Sequence, residues 1–197
     1  MTIGLIDTGC ANIASVRFAL ERAGLNHVVV RDADETGDCD RLILPGVGAA
    51  GPAMDRLRAR GWDVSLRIDG RPLLGICLGM QLLFETSDEG NAACLELLPG
   101  QVRQLPRTDG LVWPHMGWNT LEAPAADEPL LRGIPAGTHV YFVHGFYVPA
   151  GAVTRAQCDY GAAISAIVRR EHVSGCQFHP ERSGLAGARI LSNFASI

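Results

Sequence analysis

Apolar residues in the first part of the chain fall into short unbroken runs, separated by stretches in which they recur three and four positions apart. The runs lie at Ile3–Ile6, His27–Val30, 41–44 and 73–76. Runs of this kind read as strands, the one at 73–76 as a buried strand. Between the first two, Ile13, Val16, Leu20 and Ala23 keep helical spacing, with Asn12 placed to cap and Gly24 to stop. A second helix is predicted over 52–60, ended by Gly61, and a third over 78–84. Strand–helix alternation predicts an α/β fold with a mainly parallel sheet and helices on both faces.

The later part changes character. Residues 94–148 read as short strands and turns rich in Pro and Gly, with 124–128 as a loose loop. The stretches 153–158 and 162–169 read as a hairpin around Tyr160-Gly161. A strand over 173–178 leads to His179. Ser183 is placed to cap a last helix whose apolar positions are Leu185, Ala188, Leu191 and Phe194. No linker, repeat or low-complexity tract interrupts the chain, so residues 1–197 are expected to form one domain.

The predicted turn after the fourth strand carries chemistry. Gly75-Ile76-Cys77-Leu78-Gly79 sets a cysteine between strand and helix, with glycine two residues to either side. That is the pattern of a nucleophile elbow, in which the tight turn tolerates no side chain at the flanking positions. It puts sulfur at a helix start, which favours thiolate, and directs the Leu78 N–H toward a developing oxyanion. An ordinary buried thiol before a helix matches the same five residues. Downstream, His179-Pro180-Glu181 supplies a base and a carboxylate. Proline keeps His179 extended, and side chains two apart in extended chain share a side. The carboxylate could then hold one ring nitrogen while the other faces the thiol. The third element is 45–48, Pro-Gly-Val-Gly, where free N–H groups of Gly46, Val47 and Gly48 could meet an anion. It is no Walker loop, since no Gly-Lys-Ser/Thr follows.

Composition narrows the function further. Net charge is −4, and all 17 basic residues are arginine. No basic patch interleaved with aromatics supports nucleic-acid binding. No apolar run is long enough to span a membrane. The chain enters a strand at once, so no leader segment is expected. The six cysteines form no Cys-x-x-Cys pair, so neither a zinc site nor a dithiol redox motif is expected. A reduced cytoplasmic protein is the simpler reading, with Cys10, Cys158 and Cys176 as buried thiols in or beside strands.

GICLGMQLLFE, PGVG and QFHPE resemble the class I (triad) glutamine amidotransferases. DTGCAN at 7–12, PHMGWN at 114–119, YFVH at 141–144 and HPERSG at 179–184 narrow the likeness to the glutaminase subunits of imidazole glycerol phosphate synthase, from histidine biosynthesis. The likeness runs from Ile3 to Phe194, and PHMGWN is its most specific part. It implies a flavodoxin-like three-layer fold and hydrolysis of glutamine to glutamate and ammonia without a cofactor or metal. Carried over, Cys77 is the nucleophile, His179 the acid and base, and Glu181 its orienter. Gly46, Val47, Gly48 and Leu78 match the oxyanion site, while Gln81 and Glu89 match positions that hold glutamine. The implied partner is a (β/α)₈-barrel cyclase, joined in a heterodimer, that uses the ammonia to make imidazole glycerol phosphate and aminoimidazole carboxamide ribonucleotide. Asn12, His115, Met116, Trp118, Asn119, Tyr141 and Arg182 match positions at the partner face and ammonia exit. Glutaminase activity is expected to be weak until the cyclase binds its nucleotide.

The chain departs from that family in one place. Relatives follow YFVH with Ser or Thr and then Tyr, whereas this sequence reads Gly145-Phe146. A hydroxyl near the glutamine pocket is thereby lost. Three other readings compete: a different amidotransferase subunit, a cysteine hydrolase such as a peptidase or deglycase, and a silent binding subunit. Leu78 after the cysteine, where such hydrolases usually carry histidine, argues against the second. The intact triad argues against the third.

Overall fold

The structure, a computed structural model, describes residues 1–9 and 11–197. Cys10 lies outside the described residues. In chain order the strands are β1 Ile3–Ile6, β2 His27–Val30, β3 Arg41–Gly46, β4 Leu73–Cys77, β5 Thr86–Ser87, β6 Ala92–Ala93, β7 Gln101–Gln104, β8 His115–Thr120, β9 His139–His144, β10 Phe146–Tyr147, β11 Thr154–Asp159, β12 Ala163–Arg170 and β13 Val173–Cys176. The helices are α1 Ile13–Arg22, α2 Ala50–Ala59, α3 Trp62–Ile68, α4 Leu78–Gln81 and α5 Gly184–Phe194.

Seven strands form the central sheet in the order β11-β12-β13-β4-β3-β1-β2. The pairs β1–β2, β1–β3, β3–β4 and β4–β13 are parallel, while β12 and β11 add antiparallel. This is the mixed, mainly parallel sheet expected from the sequence. Alternate residues of each apolar run point to opposite faces. Ile3, Leu5, Ile43, Leu74 and Ile76 face a core closed by α1, α5 and the β8–β9 hairpin. Ile6, Leu42, Leu44 and Leu73 face a second core closed by α2, α3 and α4. A small sheet, β10-β7-β5-β6, and the two-stranded β8–β9 hairpin complete the fold.

Four expectations need correction. The helix after Cys77 is a single turn, not 78–84. The carbonyls of Leu82, Leu83 and Phe84 accept N–H groups from residues 95–98 instead of continuing a helical ladder. Ser183 does not cap α5 through its side chain: its hydroxyl donates to the His179 carbonyl at 2.7 Å and accepts from Tyr141 N–H at 3.0 Å. Nor does α5 use Leu185, which is 91% exposed. Gly187, Ile190, Leu191 and Phe194 face the core. Finally, 124–128 is not loose at its end. Glu128 is buried, and one carboxylate oxygen lies 3.4 Å from Arg169. Helix α3 was not expected at all. Its Val64 and Ile68 are exposed, which blurs the helical pattern.

Among the described residues, no helix is long and apolar enough to cross a membrane.

Candidate active site

Cys77 ends the central strand β4 and immediately precedes α4. Its backbone has φ 54° and ψ −112°, a conformation L-residues rarely adopt, with a cost on the order of 1–3 kcal/mol. Glycines make the turn possible. A Cβ on Gly75 would lie 2.7 Å from Met80 N, and one on Gly46 would lie 2.8 Å from Gly79 N. The elbow thus rests directly on β3 and β4, at the carboxyl ends of parallel strands, where open α/β sheets build their sites.

His179 follows the end of β13. Its N–H donates to the Tyr141 carbonyl at 2.9 Å, and Ser183 holds its carbonyl, so the backbone is fixed from both sides. Its Nδ1 lies 2.8 Å from Oε1 of Glu181. Glu181 stands inside a 3₁₀ turn, Pro180–Arg182, and not in extended chain. The expected pairing forms, but across the start of a turn. The other oxygen of Glu181 is buried and has no hydrogen-bond partner among the described residues.

Burial alone would lower the His179 pKa. Hydrogen bonds to Cys77 and Glu181, with the charges of both, outweigh it and push the imidazole up to about 10. A histidine that holds its proton so firmly beside a cysteine can take the thiol proton, stabilise a thiolate, and return the proton to a leaving group.

A cavity of about 170 Å³ opens at the sulfur. It is lined by Val47, Gly48, Leu78, Gln81, Glu89 and the 143–146 segment, together with Cys77 and His179. The structure therefore gathers most of the expected site, with Gly46 beneath it against the elbow. Gln81 lines the cavity, but its amide N–H groups are committed to the Phe146 carbonyl at 2.8 Å and the Gln177 side chain at 3.0 Å. Glu89 accepts the Ala50 N–H at 2.9 Å, and partial burial raises its pKa.

The residues placed at a partner face divide by strand parity. Met116 and Trp118 are exposed outward from β8. His115 points inward and is buried. Asn119, on the same side as His115, donates to the Asp159 carbonyl at 2.9 Å. Tyr141 meets Trp118 edge-on at 5.8 Å, and the Arg182 guanidinium lies 5.0 Å over the Tyr141 ring. Asn12 caps α1, its side chain accepting from Ser15 N–H at 3.2 Å.

Sequence reasoning missed Val143, His144 and Gln177. The Val143 carbonyl lies 3.7 Å from the Cys77 sulfur, and Gln177 bridges Gln81 to that sulfur. Gln177 was within reach, since it sits two residues before His179. His144 sits on the cavity wall, with a buried partner in His115.

The chain matches the family Glutamine amidotransferase class-I over residues 4–197, and it belongs to that family. Two solved structures share the fold. A glutamine amidotransferase aligns with TM-score 0.76 at 20% identity, covering 98% of this chain and 97% of its own. PurLQS from Thermotoga maritima aligns with TM-score 0.73 at 20% identity, covering 99% and 97%. Within the family, the chain sits among the HisH subunits of imidazole glycerol phosphate synthase. It is 54% identical to that subunit of Xanthomonas axonopodis pv. citri over 192 residues, 98% of this chain and 96% of the relative. Its identity to the Xylella fastidiosa subunit is 50% over the same shares.

Proposed function

We propose that the chain is the glutaminase subunit of a cytoplasmic imidazole glycerol phosphate synthase, acting as one domain in a heterodimer. The observation that carries this reading is the strained Cys77 held beside the His179–Glu181 pair at the mouth of a small cavity. A volume of about 170 Å³ suits one amino acid and falls below the ~300 Å³ at which pockets for larger ligands begin, which disfavours a peptidase.

The Cys77 thiolate attacks the glutamine carboxamide carbon, and the carbonyl oxygen becomes an oxyanion facing the N–H groups of Leu78 and the Gly46–Val47–Gly48 segment. Collapse breaks the C–N bond. His179 gives its proton to the nitrogen, ammonia leaves, and a glutamyl thioester remains. His179 then takes a proton from water, the resulting hydroxide breaks the thioester, and glutamate departs as Cys77 is restored. Glu181 keeps the imidazole oriented throughout. Glu89 faces the α-amino group of glutamine, and Gln81 supplies wall and side-chain oxygen rather than a donor.

Ammonia passes to a (β/α)₈-barrel cyclase seated on the exposed Met116, Trp118 and Arg182 and the half-buried Tyr141. Aromatic and arginine anchors of this kind dominate binding faces. The test is label transfer. With amide-¹⁵N glutamine and the cyclase ribonucleotide, ¹⁵N enters the imidazole product even in excess unlabelled ammonium. Equilibration of the label with bulk ammonium would contradict channelling.

A further inference from the structure

Two buried histidines join the inner side of β8 to the cavity wall. Nδ1 of His144 lies 2.9 Å from the Phe146 carbonyl, which can only accept, so that nitrogen carries hydrogen. Nε2 of His144 is then the acceptor, and it lies 3.0 Å from Nδ1 of His115, which must donate. Nε2 of His115 is left to accept from Nδ2 of Asn119 at 3.4 Å. The Asn119 amide is itself fixed the same way round, because Nδ2 donates to the Asp159 carbonyl at 2.9 Å while Oδ1 accepts Thr120 N–H at 2.8 Å. Both ends therefore set one direction. The rings are clamped as well: His115 is stacked between Tyr160 at 3.9 Å and Phe142 at 4.7 Å.

The far end of this chain matters for the site. The Phe146 carbonyl also accepts from Gln81, so both of its lone pairs are used, and Gln81 continues through Gln177 to the Cys77 sulfur. We propose that His115 and His144 are positioning residues: a one-way hydrogen-bond relay, from Asn119 to the Phe146 carbonyl, that holds the Gly145–Phe146 wall where glutamine binds. The proposal rests on the glutaminase reading for its ligand. Burial keeps both rings neutral, with pKa values lowered to about 4 for His115 and about 3 for His144, as the relay requires.

The relay can be read first in the unaltered protein. Long-range ¹H–¹⁵N correlation of the histidine rings at neutral pH should place hydrogen on Nδ1 of both His115 and His144. Hydrogen on Nε2 of either ring would overturn the proposal. The kinetic arm compares His115→Phe, which keeps the stack and removes the donor, with His115→Asn, whose amide can replace the Nδ1 donor. His115→Phe should raise KM for glutamine about tenfold, the effect of roughly one lost hydrogen bond, with kcat little changed. His115→Asn should restore KM. A merely structural role would lower the active fraction, and so kcat, with KM unchanged. That result, or equal KM shifts in the two variants, would overturn the proposal. If His115→Phe fails to fold, the ring correlations decide alone. Unaltered protein that releases no glutamate even with the cyclase and its ribonucleotide, but shows both Nδ1 hydrogens, would sink the glutaminase reading and leave the relay standing.

Discussion

Gly79 stands directly against the Leu44 carbonyl: a Cβ on Gly79 would collide with that oxygen. The contact joins the first turn after the cysteine to the neighbouring strand β3. It explains why the elbow keeps a conformation that Cys77 would not choose alone. The strain is held by backbone packing that nothing but glycine permits.

Gly79→Ala should therefore be severe. Overpacking against backbone costs about 1–3 kcal/mol or more, so the urea midpoint should fall sharply. Gly51→Ala provides the contrast. It lies within α2 with open space at its Cβ, and alanine there should be neutral or add up to about 1 kcal/mol.

The strain at Cys77 can be isolated by comparing two inactive variants. Both Cys77→Ala and Cys77→Gly remove the sulfur and should abolish glutamate release. Glycine accepts φ 54° freely, so Cys77→Gly should be the more stable by about 1 kcal/mol in urea titration. Equal stability would mean that the turn stores no strain.

His179 makes stability depend on pH at the alkaline side. Its folded pKa is about 10, above the unfolded value of 6.5. The folded state thus holds the proton more tightly, and the stabilisation is full below pH 6.5 and lost as pH rises through 10. Glu181→Gln removes one partner, so its stability should decline less over that interval. It should also lower kcat by a factor on the order of 10²–10⁴. Denaturation at a series of pH values and initial rates check both effects.

His115 and His144 give the opposite slope. Their folded pKa values lie below 6.5, at about 4 and about 3, because burial opposes the charge; for His144 the neighbouring His115 and His179 add to it. The unfolded chain binds protons first as pH falls, so stability should drop from pH 6.5 downward. His115→Phe should flatten that acid limb. An unchanged limb would mean that other groups control it.

Gly145 and Trp113 should be coupled. A Cβ on Gly145 would lie 3.0 Å from Trp113 Cζ2, and that indole donates to the Leu105 carbonyl at 3.2 Å. Gly145→Ser, which supplies the hydroxyl that the family resemblance leads one to expect here, should destabilise this chain and raise KM. Trp113→Leu should relieve part of the loss. A double-mutant cycle should give a coupling of about 0.5–3 kcal/mol, whereas additive effects would mean that the indole does not crowd this position.

The central sheet was legible because short apolar runs alternate with stretches of helical spacing, although edge strand β2 leaves Val28 and Val29 exposed, and the elbow because glycine stands two residues to either side of Cys77. What stayed hidden depended on partners distant in sequence. The helix after Cys77 ends at one turn, the carbonyls of 82–84 beyond it pair with the N–H groups of residues 95–98, and no local pattern in 78–84 announces that. Ser183 reads as a cap but is claimed by the His179 carbonyl and Tyr141 N–H. PHMGWN stood out as one motif, yet strand alternation sends Met116 and Trp118 outward and buries His115. Placing His144 at the cavity needed the β8–β9 register, in which it lies opposite His115.

The central claim is that Cys77 releases ammonia from glutamine for use by a barrel partner. Glutamate release measured with the chain alone, with a (β/α)₈-barrel cyclase, and with cyclase plus its ribonucleotide tests it most directly, with Cys77→Ala as the blank. The account predicts little release alone, strong release with the full set, and none in the blank. Release that ignores the cyclase, or that survives in Cys77→Ala, would contradict it.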